Sequence, residues 1–211
     1  MAKLKSEEPV WIFGYGSLMW RPGFVYEKRS MARVNGYHRH FCVWSHRYRG
    51  NPRVPGLVLG LDRGGSCRGI AYRVKSDRAD EVLDYLDGRE MITGVYRPVR
   101  LAMTLMGAEP GLDPRDARIT AQTYVVDRSH PQYAGALSDE ELATLVIQGV
   151  GTAGACREYL ENTVQHLNKM AMPDRRLDEL LGIVEQMAQG ERPIPLPPLG
   201  PPPHPANQHL T

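Results

Sequence analysis

Alternating apolar and polar positions run through the first two-thirds of the chain, and this pattern predicts β-strands. A short apolar run at residues 10–13 predicts a buried strand that leads into a glycine-rich segment. Further strands are predicted at residues 33–44, 57–62, 68–74, 96–106 and 119–126. The sequence RGGS at residues 63–66 predicts a hairpin turn between two of these strands.

The period of the apolar positions changes to that of a helix after Ser76. Ala79, Val82 and Leu86 would share one helical face, with Ser76 as the expected N-cap. We expect the helix to end near Gly88, because glycine is typical of helix C-termini.

The last third of the chain is predicted to be helical up to about residue 189. Ser138 and Glu141 form a capping-box pattern in front of an apolar stripe. Two more amphipathic helices are predicted at residues 155–170 and from residue 173 onward. Strands, one helix, more strands and then helices predict an α+β fold with a mixed, barrel-like sheet.

Composition divides the chain into one domain and two flexible ends. Residues 1–9 are polar and are predicted to be a flexible N-terminus, whereas residues 10–189 form the predicted domain. Residues 190–211 hold eight of the seventeen prolines, so this proline-rich tail is predicted to be disordered. We expect it to be dispensable for turnover.

Charge, cysteine spacing and hydropathy exclude several classes of function. The net charge of +2 comes from dispersed basic residues and predicts no binding of nucleic acid. Cys42, Cys67 and Cys156 lie far apart, as expected for reduced thiols of a cytoplasmic protein. No apolar run is long enough for a membrane span, and the N-terminus lacks the apolar region of a signal peptide.

Gly14-Tyr15-Gly16-Ser17 follows the first predicted strand and is the first candidate for chemistry. Glycines allow a backbone with positive φ, so the turn could direct several N–H groups at one anion or oxyanion. The sequence FGYGSLMW does not fit a dinucleotide fingerprint, a P-loop or a nucleophile elbow. From the residues alone, a tight turn after a strand and a ligand-binding loop are about equally good interpretations.

The titratable and charged residues give weaker indications of function than the glycine-rich segment does. Glu90 lies after the first predicted helix, between Gly88 and Gly94, and is either a cleft carboxylate or a solvated surface residue. His38 and His40 would share a strand face, but no third ligand is evident nearby, so no metal is predicted. Four arginines near the second strand form either a solvated basic loop or a carboxylate-binding site: Arg39, Arg47, Arg49 and Arg53.

Two segments together resemble a known family. FGYGSLMW resembles the substrate loop of the ChaC family, the glutathione-specific γ-glutamylcyclotransferases, and REMITGVY at residues 89–96 resembles the segment with that family's catalytic glutamate. Further similar segments extend the resemblance over about residues 10–185 in the expected order. The family's glycine-rich run before the late tyrosine differs here at residues 149–154, and the tail lies outside the resemblance.

The resemblance implies a γ-glutamylcyclotransferase fold and an enzyme that cleaves glutathione to 5-oxoproline and cysteinylglycine. It assigns catalysis to Glu90 as general acid and base, and implies neither metal nor cofactor. It assigns substrate binding to these residues: Tyr15, Gly16, Ser17, Leu18 and Tyr159. Two alternatives remain, namely a cyclotransferase for other γ-glutamyl compounds and a non-catalytic regulatory protein of the same fold.

Overall fold

The computed structural model describes residues 8–106, 117–135, 137–198 and 200–202. The strands of these residues are β1 (Val10–Gly14), β2 (Lys28–Ser45), β3 (Gly56–Val74), β4 (Tyr96–Met106), β5 (Arg118–Val126), β6 (Val150–Gly151) and β7 (Gly154–Ala155). Their α-helices are α1 (Ala79–Glu90), α2 (Asp139–Gln148), α3 (Cys156–Lys169) and α4 (Arg175–Ala188).

Five of the strands form a closed barrel in the order β1-β3-β2-β4-β5. Ile12 in β1 lies opposite Tyr72 of the antiparallel β3 and opposite Gln122 of the parallel β5. β2 and β4 are antiparallel, with Val34 opposite Met103. The barrel and the helices confirm the predicted α+β class with a barrel-like sheet.

The chain divides into two compact units. The first unit comprises the described residues of Met1–Arg39 and Leu61–Val125, and the second comprises those of His40–Gly60 and Val126–Thr211. Ile12, Tyr72 and Leu86 are fully buried in the first unit. In the second unit, α2 packs on α3 and α4, and the apolar faces of these helices form a core. Its fully buried residues include Leu145 and Leu160.

Two predictions about turns and helix ends are wrong. The predicted hairpin at residues 63–66 is absent, because β3 continues as one strand through Gly64 (φ 108°) and Gly65 (φ 65°), and glycine adopts these positive φ values without strain. The helix α1 passes through Gly88 and ends at Glu90. A glycine inside a helix costs only about 1 kcal/mol relative to alanine, which the burial of Val82 and Leu86 offsets.

The start of α1 also differs from the prediction, whereas that of α2 confirms it. Residues Ser76–Arg78 form a 3-10 turn, so Arg78 occupies the N-cap position and makes no capping bond with its side chain. In α2, Ser138 Oγ accepts from the Glu141 N–H and the Glu141 side chain accepts from the Ser138 N–H. This is the predicted capping box.

The terminal predictions fall partly outside the described residues. Residues 1–7, 107–116 and 203–211 are not described, so the flexible N-terminus and the disordered end of the tail remain predictions. The described part of the tail, residues 190–198 and 200–202, has no helix or strand. However, a methyl group added to Gly200 would lie 3.1 Å from Cε3 of Trp44, so this part of the tail packs against Trp44 within the second unit.

Candidate active site

The glycine-rich segment forms a tight turn directly after β1. Ser17–Met19 is one turn of 3-10 helix, closed by the Met19 N–H donating to Gly16 O at 2.9 Å. The expected positive φ is not found at Gly14 or Gly16, and Gly16 has φ −125°. Gly14 is required for another reason, because a Cβ there would lie 2.9 Å from Cβ of Leu18.

Two buried side chains of the first unit hold the carbonyl groups of this turn. Arg39 donates through Nε to Tyr15 O and through Nη2 to Arg68 O at 2.7 Å. The Tyr72 hydroxyl lies 3.0 Å from Leu18 O and 2.7 Å from Met19 O, and donates to this pair. Burial raises the pKa of Tyr72 to about 12, so the hydroxyl keeps its proton and remains a donor.

The other face of the turn contacts the C-terminal end of α1 through Arg89. Nη2 of Arg89 donates to Ser17 Oγ at 2.9 Å, and Nη1 donates to Arg21 O at 3.0 Å. Nε of the same guanidinium lies 3.2 Å from Oε1 of Glu90. The candidate acid is therefore connected to the glycine turn through one side chain.

Glu90 lies at the last residue of α1 rather than beyond it, and its side chain is 21% exposed. Burial raises the pKa of this carboxyl, and the Arg89 cation only partly offsets the effect. A carboxyl group with a raised pKa and a charged neighbour is typical of acid–base sites. The Glu90 carboxyl is therefore partly buried rather than fully solvated, and its place in a substrate cleft stays a prediction.

A tyrosine and a second carboxyl lie next to Glu90. The Tyr124 hydroxyl in β5 donates to Oδ1 of Asp87 at 2.7 Å. Burial, the bond to Asp87 and the charges of Asp87 and Glu90 together raise the pKa of Tyr124 far above its usual range. Tyr124 therefore stays protonated beside the two carboxyl groups.

Tyr159 belongs to the second unit, where it is half-buried on α3. Its ring lies 5.7 Å from that of Phe41, centre to centre, in an edge-to-face arrangement. The guanidinium carbon of Arg49 is 5.0 Å from the centre of the Tyr159 ring. Nη1 of Arg49 also donates to Ala155 O at 3.1 Å, which fixes the guanidinium beside the ring.

The structure thus places the predicted residues in two groups. Tyr15, Gly16, Ser17 and Leu18 form one turn of the first unit, and Arg89 joins this turn to Glu90. Tyr159 lies with Arg49 in the second unit. Of the four arginines considered for a carboxylate site, Arg39 instead binds the backbone of the glycine turn.

His38 and His40 have a third possible metal ligand nearby, contrary to the expectation from the sequence. Asp62 is this third residue, and the sequence did not suggest it. One ligand atom each of His38, His40 and Asp62 lies within 4.8 Å of the others. His38 Nδ1 is also 3.1 Å from Gly64 O. Asp62 was missed because it lies in the next strand, 22 positions after His40. The absence of a resident metal stays a prediction.

Sequence reasoning also missed Arg89, Tyr72 and Tyr124. Arg89 directly precedes Glu90. It also lies four residues after Tyr85 on α1, and side chains at this spacing contact each other on a helix, so the contact between Arg89 and Tyr85 could have been predicted. Nη1 of Arg89 indeed lies 3.3 Å from the Tyr85 hydroxyl. Tyr72 and Tyr124 gave no local signal, since strand pairing alone decides what they contact.

The chain is similar in sequence to known proteins. The sequence profile of the family described as ChaC-like protein matches residues 10–187. The glutathione-specific gamma-glutamylcyclotransferase of Escherichia coli is 36% identical over 183 residues, which are 86% of this chain and 75% of the relative. Glutathione-specific gamma-glutamylcyclotransferase 1 of mouse is 33% identical over 84% of this chain and 78% of its own length.

A solved structure supports the fold independently. The crystal structure of a gamma-glutamyl cyclotransferase specific to glutathione from yeast has a TM-score of 0.74 and 22% identity. The match covers 84% of this chain and 96% of the yeast chain. Among the described residues, no helix has the length and apolar character needed to span a membrane.

Proposed function

The chain belongs to the ChaC-like protein family, and we propose that it is a glutathione-specific γ-glutamylcyclotransferase that acts in the cytoplasm. The observation that carries the proposal is the connection of the glycine turn to a partly buried glutamate through Arg89. Relatives at 36% and 33% identity carry the same activity in their names. The three cysteines are buried and form no disulfide, which supports a reducing compartment.

The proposed reaction is an intramolecular amide exchange. The α-amino nitrogen of the γ-glutamyl residue attacks its own γ-carbonyl carbon, and this new C–N bond closes the ring of 5-oxoproline. The amide bond to cysteine breaks, and its nitrogen leaves as the amine of cysteinylglycine. Nucleophile and electrophile are in one molecule, so the enzyme's main task is to hold the glutamyl chain in a near-attack conformation.

Glu90 is the residue proposed to move the proton. As a carboxylate it takes a proton from the attacking ammonium group, and as a carboxylic acid it returns a proton to the leaving nitrogen. The raised pKa of Glu90 suits this exchange, because it makes the carboxylate a better base than an exposed glutamate. Tyr124, which keeps its own proton, does not compete for this role.

The glycine turn is proposed to bind the glutamyl group. The N–H groups of Gly16, Ser17 and Leu18 would donate to the γ-carbonyl oxygen as it becomes an oxyanion. Because Arg39 and Tyr72 already bind carbonyl oxygens of Tyr15 and Leu18, the peptide planes of the turn are held before substrate arrives. Tyr159 is proposed to contribute a hydroxyl to substrate binding.

An assay of both products tests the proposal. The purified full chain is incubated with glutathione, and 5-oxoproline and cysteinylglycine are quantified; we expect equal amounts of the two. Glutamate in place of 5-oxoproline would indicate hydrolysis and overturn the cyclotransferase proposal, as would intact glutathione. A kcat/KM for γ-glutamylalanine equal to that for glutathione would replace glutathione specificity by a broader γ-glutamyl specificity.

A further inference from the structure

Arg89 has a role that the sequence comparison does not assign. We infer that Arg89 is a positioning residue for the proposed reaction, because its guanidinium fixes the glycine turn relative to the Glu90 carboxylate. The inference rests on the proposed function for its kinetic consequences, but the geometry it invokes exists in the protein without substrate.

The contacts of Arg89 use every nitrogen of the guanidinium. Nη2 donates to Ser17 Oγ at 2.9 Å, Nη1 lies 3.0 Å from Arg21 O, and Nε lies 3.2 Å from Oε1 of Glu90. Nη1 is also 3.3 Å from the Tyr85 hydroxyl. Ser17 and Arg89 are 72 positions apart in the chain, so this side chain joins two segments that no local interaction would hold together.

Arginine is suited to this position and lysine is not. The guanidinium is planar and presents donors in fixed directions, so one residue can bind the hydroxyl, the carbonyl and the carboxylate simultaneously. A lysine ammonium is a single nitrogen and could not contact all three groups, because they lie at different edges of the guanidinium. Substitution by lysine should therefore keep the charge near Glu90 but release Ser17 or Arg21.

The same contacts give Arg89 an electrostatic effect on Glu90. The groups that act on the Glu90 carboxyl are Arg89 on α1 and the protonated Tyr124 on β5, and Tyr124 is in turn bonded to Asp87. Arg89 is the cation among them, and with 28% of its side chain exposed it is only partly screened by solvent. Removing it leaves a partly buried carboxyl without its neighbouring cation, which disfavours the ionised form of Glu90.

Two substitutions separate the geometric effect from the electrostatic one. For Arg89→Lys we expect about a tenfold lower kcat/KM at its pH plateau, with the acidic limb of the pH profile almost unmoved. For Arg89→Met we expect the same loss and, in addition, an acidic limb shifted upward by about one pH unit. Arg78→Met is the matched control, because Arg78 pairs with exposed Glu81 at the opposite end of α1.

A double-mutant cycle tests the connection to the turn. If Arg89 acts through Ser17, the losses in kcat/KM for Ser17→Ala and Arg89→Lys should not multiply in the double variant. Fully multiplicative losses would overturn the geometric part of the inference. Thermal midpoints of all variants are measured first, and a variant with a strongly lowered midpoint is replaced by Arg89→Gln.

Direct titration of Glu90 separates this inference from the proposed function. The side-chain carboxyl carbon of Glu90 is followed by 13C NMR without substrate, in the wild type and in Arg89→Met. An upward shift of the Glu90 midpoint supports the inference even if the wild type releases no cysteinylglycine. An unchanged midpoint, together with a kcat/KM of folded Arg89→Met within threefold of the wild type, would overturn it.

Discussion

Each unit of the protein contains an arginine that holds a predicted site residue, but the two clusters differ in chemistry. Arg89 in the first unit contacts the carboxylate of Glu90 and the hydroxyl of Ser17. Arg49 in the second unit lies over the ring of Tyr159 and donates to Ala155 O. The first cluster therefore surrounds a group that can exchange a proton, whereas the second surrounds an aromatic ring.

This difference indicates that the two clusters have different roles in the proposed mechanism. Burial raises the pKa of Glu90, which is the property that proton transfer requires. Tyr159 is held by an edge-to-face contact with Phe41 and by the Arg49 cation, which fix the orientation of its hydroxyl. Substitutions in the first cluster should change the rate of chemistry, and those in the second should mainly change substrate binding.

The largest effect is expected for Glu90→Gln. Glutamine preserves the volume of the side chain and can still form hydrogen bonds, but it cannot carry a proton between the two nitrogens. Because general acid–base catalysis typically supplies about 10²–10⁴-fold, kcat should fall by at least that order. The thermal midpoint should move little, since Glu90 is not a packing residue, and both quantities are measured on the full chain.

Glu81→Gln provides the matched control for this substitution. Glu81 lies on the same helix, is exposed, and pairs with Arg78 rather than with Arg89. We expect its activity to equal that of the wild type. If folded Glu90→Gln retains kcat within threefold of the wild type, Glu90 is not the acid–base residue, and Asp87 and Glu158 become the next candidates.

A smaller loss is expected for Tyr159→Phe. Phenylalanine keeps the contacts of the ring with Phe41 and Arg49 but lacks the hydroxyl. Loss of one hydrogen bond to substrate corresponds to about 0.5–1.5 kcal/mol, so kcat/KM should fall about twofold to twelvefold, mainly through KM. Unchanged kinetics would mean that Tyr159 has a packing role alone and would remove the second cluster from the mechanism.

Local sequence patterns predicted a barrel-like sheet and the helices α2 to α4, whereas the two segments of the candidate site were assigned from the family resemblance. The capping box at Ser138 and the strand at residues 96–106 depend on neighbours in the chain, and the structure has both. Gly88 was predicted to end a helix because glycine is a common terminator, but tertiary burial of Val82 and Leu86 carries α1 two residues further.

Contacts between distant segments could not be predicted in this way. Arg39 and Tyr72 hold the glycine turn from β2 and β3, and nothing in the local sequence indicates their partners. The continuation of β3 through Gly64 and Gly65 was missed for the same reason, because a glycine pair permits either a reversal or a bulge and strand pairing decides between them. The position of Asp62 beside His38 and His40 is a third feature that the local sequence did not indicate.

The smallest effect is expected from removing the tail, and it should fall on stability rather than on turnover. In the second unit, Gly200 lies against the indole of Trp44, which is only 5% exposed, and Arg192 lies 3.5 Å from Glu140. A chain ending at Gly190 would expose part of Trp44, so its thermal midpoint should be a few degrees lower, whereas kcat/KM should stay within twofold. A tenfold loss in kcat/KM would show that the tail contributes to the site.

The pH dependence of this difference provides a sharper test, because the tail also lies near His46. Burial lowers the pKa of His46 below the ordinary 6.5, and the backbone of Pro201 only partly offsets this. Below about pH 6.5 the unfolded chain therefore binds a proton that the folded chain does not, so stability falls as the pH falls. Without the tail His46 is more hydrated, so the shortened chain loses less stability as the pH falls.

The thermal midpoints of the full and shortened chains should therefore converge as the pH is lowered from 7.5 to 5.5. Gly200→Val should resemble the shortened chain. Gly182→Ala is the control and should not, because Gly182 has open space for a methyl group. A constant difference across this pH range would exclude any effect of the tail on His46.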